Sequence, residues 1–450
     1  MMAFFSALRP AASPALRPGK PAGARPARHR GGNLRHRADV LAASGRPSPG
    51  RNTEAAVRRR SSAALALLAM AALAPAAEAH VKWFAPYIVG SPPQDVGLTL
   101  ANPWFWTGIV LVLGFFLATR YLEETAFGQR VLLALDRASA PLWSRADDFM
   151  RWVIAGFFVA VFAVGGVYLT PDLQTPAEWV SWAQLVIAAL IFSRRTQPYA
   201  ALGILALWLL ALRDYDFFHL LDYLALGIAV AGYLILESLS NQRARAHRFE
   251  VLRWGVAIAL MWSSLEKFAF PEWFHPLVEE RPFLTFGLPR DVFIPMAGVA
   301  EFTMGFGLLW TALVRRLAAI ALFVIFTAAV WPFGRVDLVG HALIMATIVL
   351  IAADPQRQAN FIPAIKRRIL AVPPALAVTL AIFVSGYWGV HRTIYGIDGS
   401  EDARAETIST HGPDPENPHE ASVPADAPAE VDPVPQPATE AGPNLDLDDR

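Results

Sequence analysis

The sequence contains no cysteine and few charged residues. Among its 450 residues none is Cys, 17% are charged and 54% are hydrophobic. The absence of thiols excludes disulfides, thiolate metal ligands and thiol redox chemistry within this chain. The shortage of charge and the excess of apolar residues are typical of a polytopic membrane protein rather than of several soluble domains.

The motifs of several enzyme classes are also missing. The sequence has no glycine-rich nucleotide-binding loop, no nucleophile elbow and no zinc-protease helix motif. These absences argue against a nucleotide-driven pump and against a hydrolase of the soluble type. Nothing in the sequence indicates a nucleic-acid partner, whereas the lipid bilayer is an expected one.

The first 79 residues predict a basic presequence followed by a signal peptide. Residues 1–56 are rich in Arg, Pro, Ala and Gly and lack periodicity, so they are not expected to fold alone. Arg58–Arg60 then form a positive region, Ala63–Leu73 a short apolar run, and Ala77–Ala79 a small-residue cleavage site. We expect cleavage after Ala79, which would make His80 the first residue; an uncleaved anchor is the alternative.

From Pro103 onward, apolar stretches of spanning length recur between short polar breaks. The expected fold class is all-α, a polytopic transmembrane bundle of about ten helices. The predicted helices lie at about 103–120, 150–169, 178–193, 198–212, 219–237, 250–267, 292–313, 316–332, 337–353 and 373–390. Segment 122–149 predicts an amphipathic interfacial helix, interrupted near Pro141.

The loop charges predict the orientation of this bundle. Arginine and lysine concentrate in loops that lie on one side, and the opposite loops hold far fewer. By the positive-inside rule, both termini are then periplasmic and the membrane is the bacterial inner membrane. The expected regions are 1–79 presequence and signal peptide, 80–102 periplasmic segment, 103–249 N-terminal helices, 250–353 four-helix module, 354–396 inner loop and last helix, and 397–450 disordered acidic tail.

Five ionisable residues are expected at or near membrane depth, where such groups are costly and often mark a site. Glu266 and Lys267 close the sixth predicted helix, and Glu301 lies near the midplane on the seventh. Asp337 and His341 lie one turn apart on the ninth helix. A carboxylate at mid-depth needs a partner or a proton, which Lys267 or His341 could supply. A buried ion pair that only fixes packing is the alternative interpretation.

Histidines predominate on the predicted outer side. His219 and Asp222 share a helix face there, as do Asp337 and His341, and imidazoles with carboxylates suit copper or zinc. The free amine and imidazole of an N-terminal His80 could together chelate Cu(II). The alternative is that these histidines bind no metal and lie at the level of the lipid headgroups because polar aromatic side chains are favoured there.

The stretch from Arg253 to Ala353 resembles the DoxX-like family of four-helix membrane proteins. The resemblance is carried by RWGVAIALMWSSLEKF, PEWF, FIPMAGVAEFTMGFGLLW, RRLAAIALFVIF and FGRVDLVGHALIMATIVL. In that family the first helix ends in a Glu-Lys or similar pair, matched by Glu266 and Lys267. A glycine-flanked glutamate of the second helix is matched by Glu301, and a polar residue of the fourth by His341.

Members of the DoxX-like family are linked to membrane redox systems, including thiosulfate-to-quinone electron transfer, often as partners of other proteins. The resemblance therefore implies a redox or quinone-linked role, with Glu301 titrating, Glu266 and Lys267 as charge partners, and redox partner proteins. This chain departs from the family in its five preceding helices, its additional last helix and its tail. The sequence leaves open whether it is an enzyme, and the alternative function is binding or transport of a metal such as copper. A structural or assembly role is a third possibility.

Overall fold

The structure, a computed structural model, describes residues 87–280, 282–357, 369–396 and 408–409. His80, the predicted signal peptide and most of the acidic tail lie outside these residues. The described chain is mostly helical, which confirms the all-α class. Two short strands, β1 (Tyr87–Ile88) and β2 (Ile408–Ser409), pair antiparallel.

Fifteen α-helices are present in the described ranges. They are α1 (Val96–Ala101), α2 (Pro103–Glu124), α3 (Ala126–Trp143), α4 (Ala146–Val164), α5 (Trp179–Leu190), α6 (Gln197–Ala211), α7 (Phe217–Ser238), α8 (Gln242–Arg245), α9 (Arg248–Ser263), α10 (Glu266–Ala269), α11 (His275–Glu280), α12 (Arg290–Leu308), α13 (Ala312–Phe333), α14 (Arg335–Ala353) and α15 (Val372–Tyr395).

Five helical segments among the described residues are long and apolar enough to cross a membrane: α2, α7, α12, α14, and α15 with the turn that precedes it. Helices α5 and α6 are apolar but shorter. These lengths and compositions indicate a membrane protein.

Local sequence sets the helix ends. Asn102 caps α2 by accepting from the Trp104 amide, and Pro103 occupies the first helical position. The predicted helix 150–169 instead ends at Val164, because Gly165 and Gly166 adopt φ values of 75° and 60°. The expected interruption near Pro141 occurs a few residues later. Helix α3 continues through Pro141 to Trp143, and the chain turns at Ser144 and Arg145 before α4 begins. Pro141 cannot donate to the carbonyl one turn before it, which weakens the last turn of α3.

Polar groups concentrate at two opposite ends of the bundle. We call one of them the tyrosine end, because Tyr168, Tyr223 and Tyr395 donate hydrogen bonds to aspartates there. Helices α4, α6, α9, α13 and α15 finish at this end, and α2, α5, α7, α12 and α14 begin at it. The segment before α1 is tied to this end, because the Gln94 amide donates to the Ala269 carbonyl at 2.7 Å and Trp388 Nε1 donates to the Gln94 carbonyl at 3.0 Å.

The opposite end, the arginine end, holds buried guanidinium groups. Arg315 and Arg316, on the first turn of α13, are 1% and 0% exposed. Arg315 donates to the carbonyls of Asp354 at 3.2 Å and Gln356 at 2.7 Å, and Arg316 donates to that of Asp354 at 3.0 Å. Arg316 also pairs with Asp136 of α3 at 2.9 Å. The two arginines therefore complete the hydrogen bonding at the C-terminal end of α14 and fix α3 beside it.

Two hydrophobic cores lie between these ends. One gathers buried residues of α2, α9, α12, α13 and α15, such as Phe116 and Phe302. The other gathers residues of α4, α5, α6 and α7, such as Ile154 and Leu234, together with Leu252 of α9 and Leu343 of α14. Helices α7, α9 and α14 contribute to both, so the region 250–353 is packed continuously with the helices before it.

Helices α7 and α9 approach closely at Gly255. A Cβ atom at this position would lie 2.0 Å from the Cβ of Ala229 and 2.9 Å from the carbonyl oxygen of Ala225. Neither the methyl nor the backbone oxygen can move away without separating the helices. The absence of a side chain at Gly255 therefore sets the spacing of the two helices.

Gly255→Ala should destabilise the protein by about 1–3 kcal/mol, because the added methyl forces α7 and α9 apart. Gly227→Ala on α7 is the matched control, since a Cβ there meets nothing within 4 Å. Its expected effect is neutral to stabilising. The midpoint of thermal unfolding in detergent, followed by size-exclusion fluorescence, compares the two variants. Equal midpoints would show that the contact is unimportant.

Candidate functional site

The candidate site is an ion pair between Lys267 and Glu301. Glu301 lies roughly 16 Å along α12 from Arg290, at 1.5 Å per residue. Lys267 lies on α10, just beyond the end of α9. The Nζ atom of Lys267 is 2.7 Å from Oε2 of Glu301. The other carboxylate oxygen, Oε1, accepts a hydrogen bond from the Ser263 hydroxyl at 3.3 Å.

A glycine allows these two chain segments to meet. A Cβ added at Gly298 would lie 2.7 Å from Cζ of Phe268 and 3.2 Å from Cβ of Lys267. Gly298 precedes Glu301 by three residues, so both lie on the face of α12 that packs against α9 and α10. The close approach at Gly298 brings the ammonium group within reach of the carboxylate.

The pair is only partly enclosed. The side chains of Lys267 and Glu301 are 17% and 23% exposed, and Nζ lies 5.1 Å from the centroid of the Phe274 ring. The ammonium group thus has a carboxylate and an aromatic face as neighbours. Contact between opposite charges lowers the cost of placing either charge among apolar helices. The remaining exposure leaves the pair accessible to a ligand.

Glu266, the neighbour of Lys267 in sequence, is buried, at 6% exposed. Within the described residues, the carboxylate that pairs with Lys267 is that of Glu301.

Asp337 and His341 form a second pair, on α14. Nδ1 of His341 lies 3.2 Å from Oδ1 of Asp337, and the imidazole lies edge-on to Phe326 with ring centroids 5.0 Å apart. Asp337 is 1% exposed. A carboxylate beside an imidazole can hold its orientation and tautomer, as carboxylates that hydrogen-bond to metal-binding histidines do.

His219 lies among aromatic rings. It is buried, and its ring centroid is 4.3 Å from that of Tyr87, 5.7 Å from Tyr223 and 5.8 Å from Tyr215. Among the described residues, no group of three or more His, Cys, Asp or Glu side chains is arranged to hold a metal ion. The copper hypothesis thus depends on His80, which lies outside those residues, and it stays a prediction.

Sequence reasoning missed a set of tyrosine–aspartate hydrogen bonds at the tyrosine end. Tyr168 donates to Asp214 at 2.5 Å, Tyr223 donates to Asp172, and Tyr395 donates to Asp216. These bonds join the α4–α5 loop to the start of α7, and the start of α7 to the end of α15. The sequence signal for this set is the density of Asp and Tyr in RDYDFFHLLDY, the stretch that also contains His219 and Asp222.

Asp214 of this set is stabilised in its charged form. A hydrogen bond from Arg213 and another from Tyr168 hold the pKa of Asp214 below its ordinary value, against the effect of partial burial. Asp214 therefore stays ionised at neutral pH and serves as a fixed acceptor for Tyr168. The hydrogen bonds of Tyr168, Tyr223 and Tyr395 tie the loops and helix ends of the tyrosine end together.

Comparison of the chain with models of protein families, with curated proteins and with solved structures finds no match. The function must therefore be inferred from the geometry of its own residues.

Lys267→Met and Glu301→Gln should each destabilise the protein, because each leaves one charge without its partner. The double variant Lys267→Met/Glu301→Gln should recover part of the loss. A double-mutant cycle on unfolding midpoints should give a coupling energy of roughly 1–3 kcal/mol, within the range for contacting residues. Strict additivity of the two single effects would contradict an interacting pair.

Proposed function

We propose that the chain is a ten-span inner-membrane protein that supports a redox or quinone-linked process through the polar side chains around Lys267 and Glu301. The arginine end would face the cytoplasm and the tyrosine end the periplasm. The positive-inside rule supports this orientation, because the arginines of the α2–α4, α5–α6 and α7–α9 connections all lie at one end.

The observation that carries the proposal is the position of the Lys267–Glu301 pair. Ionisable side chains are expensive within a membrane, and those that persist there usually serve binding or proton transfer. Many of the chain's other charges lie at the two ends of the bundle. This pair instead joins apolar helix faces, and its two side chains remain partly exposed. An ion pair that only fixed the packing of helices would not need that exposure.

A quinone head group suits the chemistry of this pair. It is a flat ring with two carbonyl oxygens, so it can accept a hydrogen bond from the Lys267 ammonium and stack beside Phe274. Reduction of a quinone to a quinol consumes two electrons and two protons. Both electrons would come from a redox partner protein. Both protons would come from water at the tyrosine end and pass to the ring one at a time through the Glu301 carboxylate.

The resemblance to the DoxX-like family supports the same reading. Helices α9, α12, α13 and α14 would form the four-helix module at 250–353, with Glu301 on its second helix. The five preceding spans and α15 would then be additions that pack around the module. In this chain α7 would be the main partner of the module, through the contact at Gly255.

A second candidate, binding of copper or another metal, is favoured by one observation. Nδ1 of His341 lies 3.2 Å from Oδ1 of Asp337, and a carboxylate beside the imidazole is typical of metal-binding histidines. His80 would have to supply further ligands. Intact mass and metal content of the gently purified protein test this candidate; a first residue other than His80, or the absence of copper and zinc, would count against it.

Labelling by a photoreactive quinone analogue tests the primary proposal. In nanodiscs, Lys267→Met should raise the concentration of analogue needed for half-maximal labelling about tenfold, because a charged hydrogen bond contributes roughly 1.5–3 kcal/mol. Arg290→Met is the control, since it removes a cation that is 44% exposed at the start of α12. Equal labelling of the wild type and both variants, or labelled peptides remote from α10 and α12, would contradict the proposal.

A further inference from the structure

The arginine end contains a charged cavity that the Lys267–Glu301 site does not involve. Its volume is about 470 Å³, and it opens where α3 ends, α4 begins and the α8–α9 connection passes. Its lining includes Trp143, Arg145, Arg151, Arg248 and Phe249. Three arginines beside two aromatic rings make this cavity unlike the apolar helix surfaces around it.

The carboxylates of the cavity are already neutralised. Asp147 accepts from Arg248 at 2.7 Å and from Arg245 at 3.0 Å, and Asp148 pairs with Arg151. Arg245 and Arg248 also share the fully buried Glu237 with Arg194. Cations outnumber anions across this network, so the cavity carries an excess of positive charge.

Arg145 supplies a cation that is still available. Within the described ranges its side chain makes no ion pair or hydrogen bond, and it is exposed at the cavity. Arg145 is also the N-cap residue of the nineteen-residue helix α4 and provides no side-chain acceptor there. The first amides of α4, with their partial positive charge, therefore point to the same region as the guanidinium group.

The surface next to the cavity is apolar and exposed. Trp152 follows Asp148 by one helical turn on α4 and is 67% exposed, and Val159 follows two turns later at 47% exposed. Phe192, just after the end of α5, packs edge-on to Trp152 with ring centroids 5.0 Å apart. The cationic groups at the start of α4 are thus followed along the helix by an exposed apolar strip, formed by Trp152 and Val159.

We propose that this cavity binds the phosphate headgroup of an anionic phospholipid. Phosphate oxygens would accept from Arg145 and from the first amides of α4. One acyl chain would lie along Trp152 and Val159. Basic pockets between membrane helices commonly take such headgroups. The proposal is independent of the function assigned to Lys267 and Glu301, and the apolar strip favours a lipid over a free phosphate compound.

Native mass spectrometry of the delipidated full chain tests this site. The probes are phosphatidylglycerol, phosphatidylcholine, glycerol phosphate and inorganic phosphate. Phosphatidylglycerol should form the first adduct at the lowest concentration. Arg145→Gln should raise that concentration about tenfold, as expected for loss of a charged hydrogen bond. Arg195→Gln, at an exposed arginine of the same end outside the cavity, should leave it unchanged.

Trp152→Ala separates a lipid from a free phosphate. It should weaken phosphatidylglycerol binding severalfold and leave any weak binding of glycerol phosphate unaffected. Equal binding of phosphatidylglycerol and phosphatidylcholine, or equal effects of Arg145→Gln and Arg195→Gln, would overturn the proposal. The proposal would also be overturned, in favour of a soluble phosphate ligand, if inorganic phosphate bound as tightly as the lipid and its binding were unchanged by Trp152→Ala.

Discussion

The structure depends on one constraint: polar groups placed among apolar helices must find their partners within the chain. Hydrocarbon offers no hydrogen bonds, so an unsatisfied carbonyl or charge costs several kcal/mol there. The chain meets this constraint by moving most of its polar groups to the two ends of the bundle. Side chains then hold several of the helix ends.

The two ends meet the constraint with different chemistry. At the arginine end, guanidinium groups serve the carbonyls that finish α14 and the carboxylates of α3, α4 and α7. At the tyrosine end, neutral hydroxyl groups donate to aspartates. Neutral donors suit an end that is short of cations. The proposed orientation follows from the same asymmetry, since cationic residues favour the cytoplasmic face.

Lys267 and Glu301 are the exception to this division. The pair joins a lysine just beyond the end of α9 to a carboxylate within α12, where either charge alone would be costly. Ser263 and Phe274 complete their surroundings without enclosing them. An accessible pair of this kind can exchange a partner or a proton with a ligand, and the proposed quinone function rests on that property.

The sequence predicted the helical class because hydrophobic runs directly report which segments can cross a membrane. It offered Lys267 or His341 as the partner of Glu301, and the structure shows Lys267 in that position. It could not predict that Glu266 is buried while its neighbour Lys267 pairs with Glu301, because the surroundings of adjacent residues depend on how the helices pack. The tyrosine–aspartate bonds were equally hidden, since Tyr168 and Asp214 are distant in sequence. Likewise, the close approach at Gly255 depends on which helix faces it.

The central claim is that Glu301 responds to a bound quinone. Infrared difference spectroscopy on the protein in lipid, recorded as a bound quinone is reduced electrochemically, tests it most directly. The account predicts a change in a carboxyl stretching band that is present in the wild type and absent from Glu301→Gln, but retained in Asp291→Asn. A difference spectrum that is identical in the wild type and Glu301→Gln would contradict it.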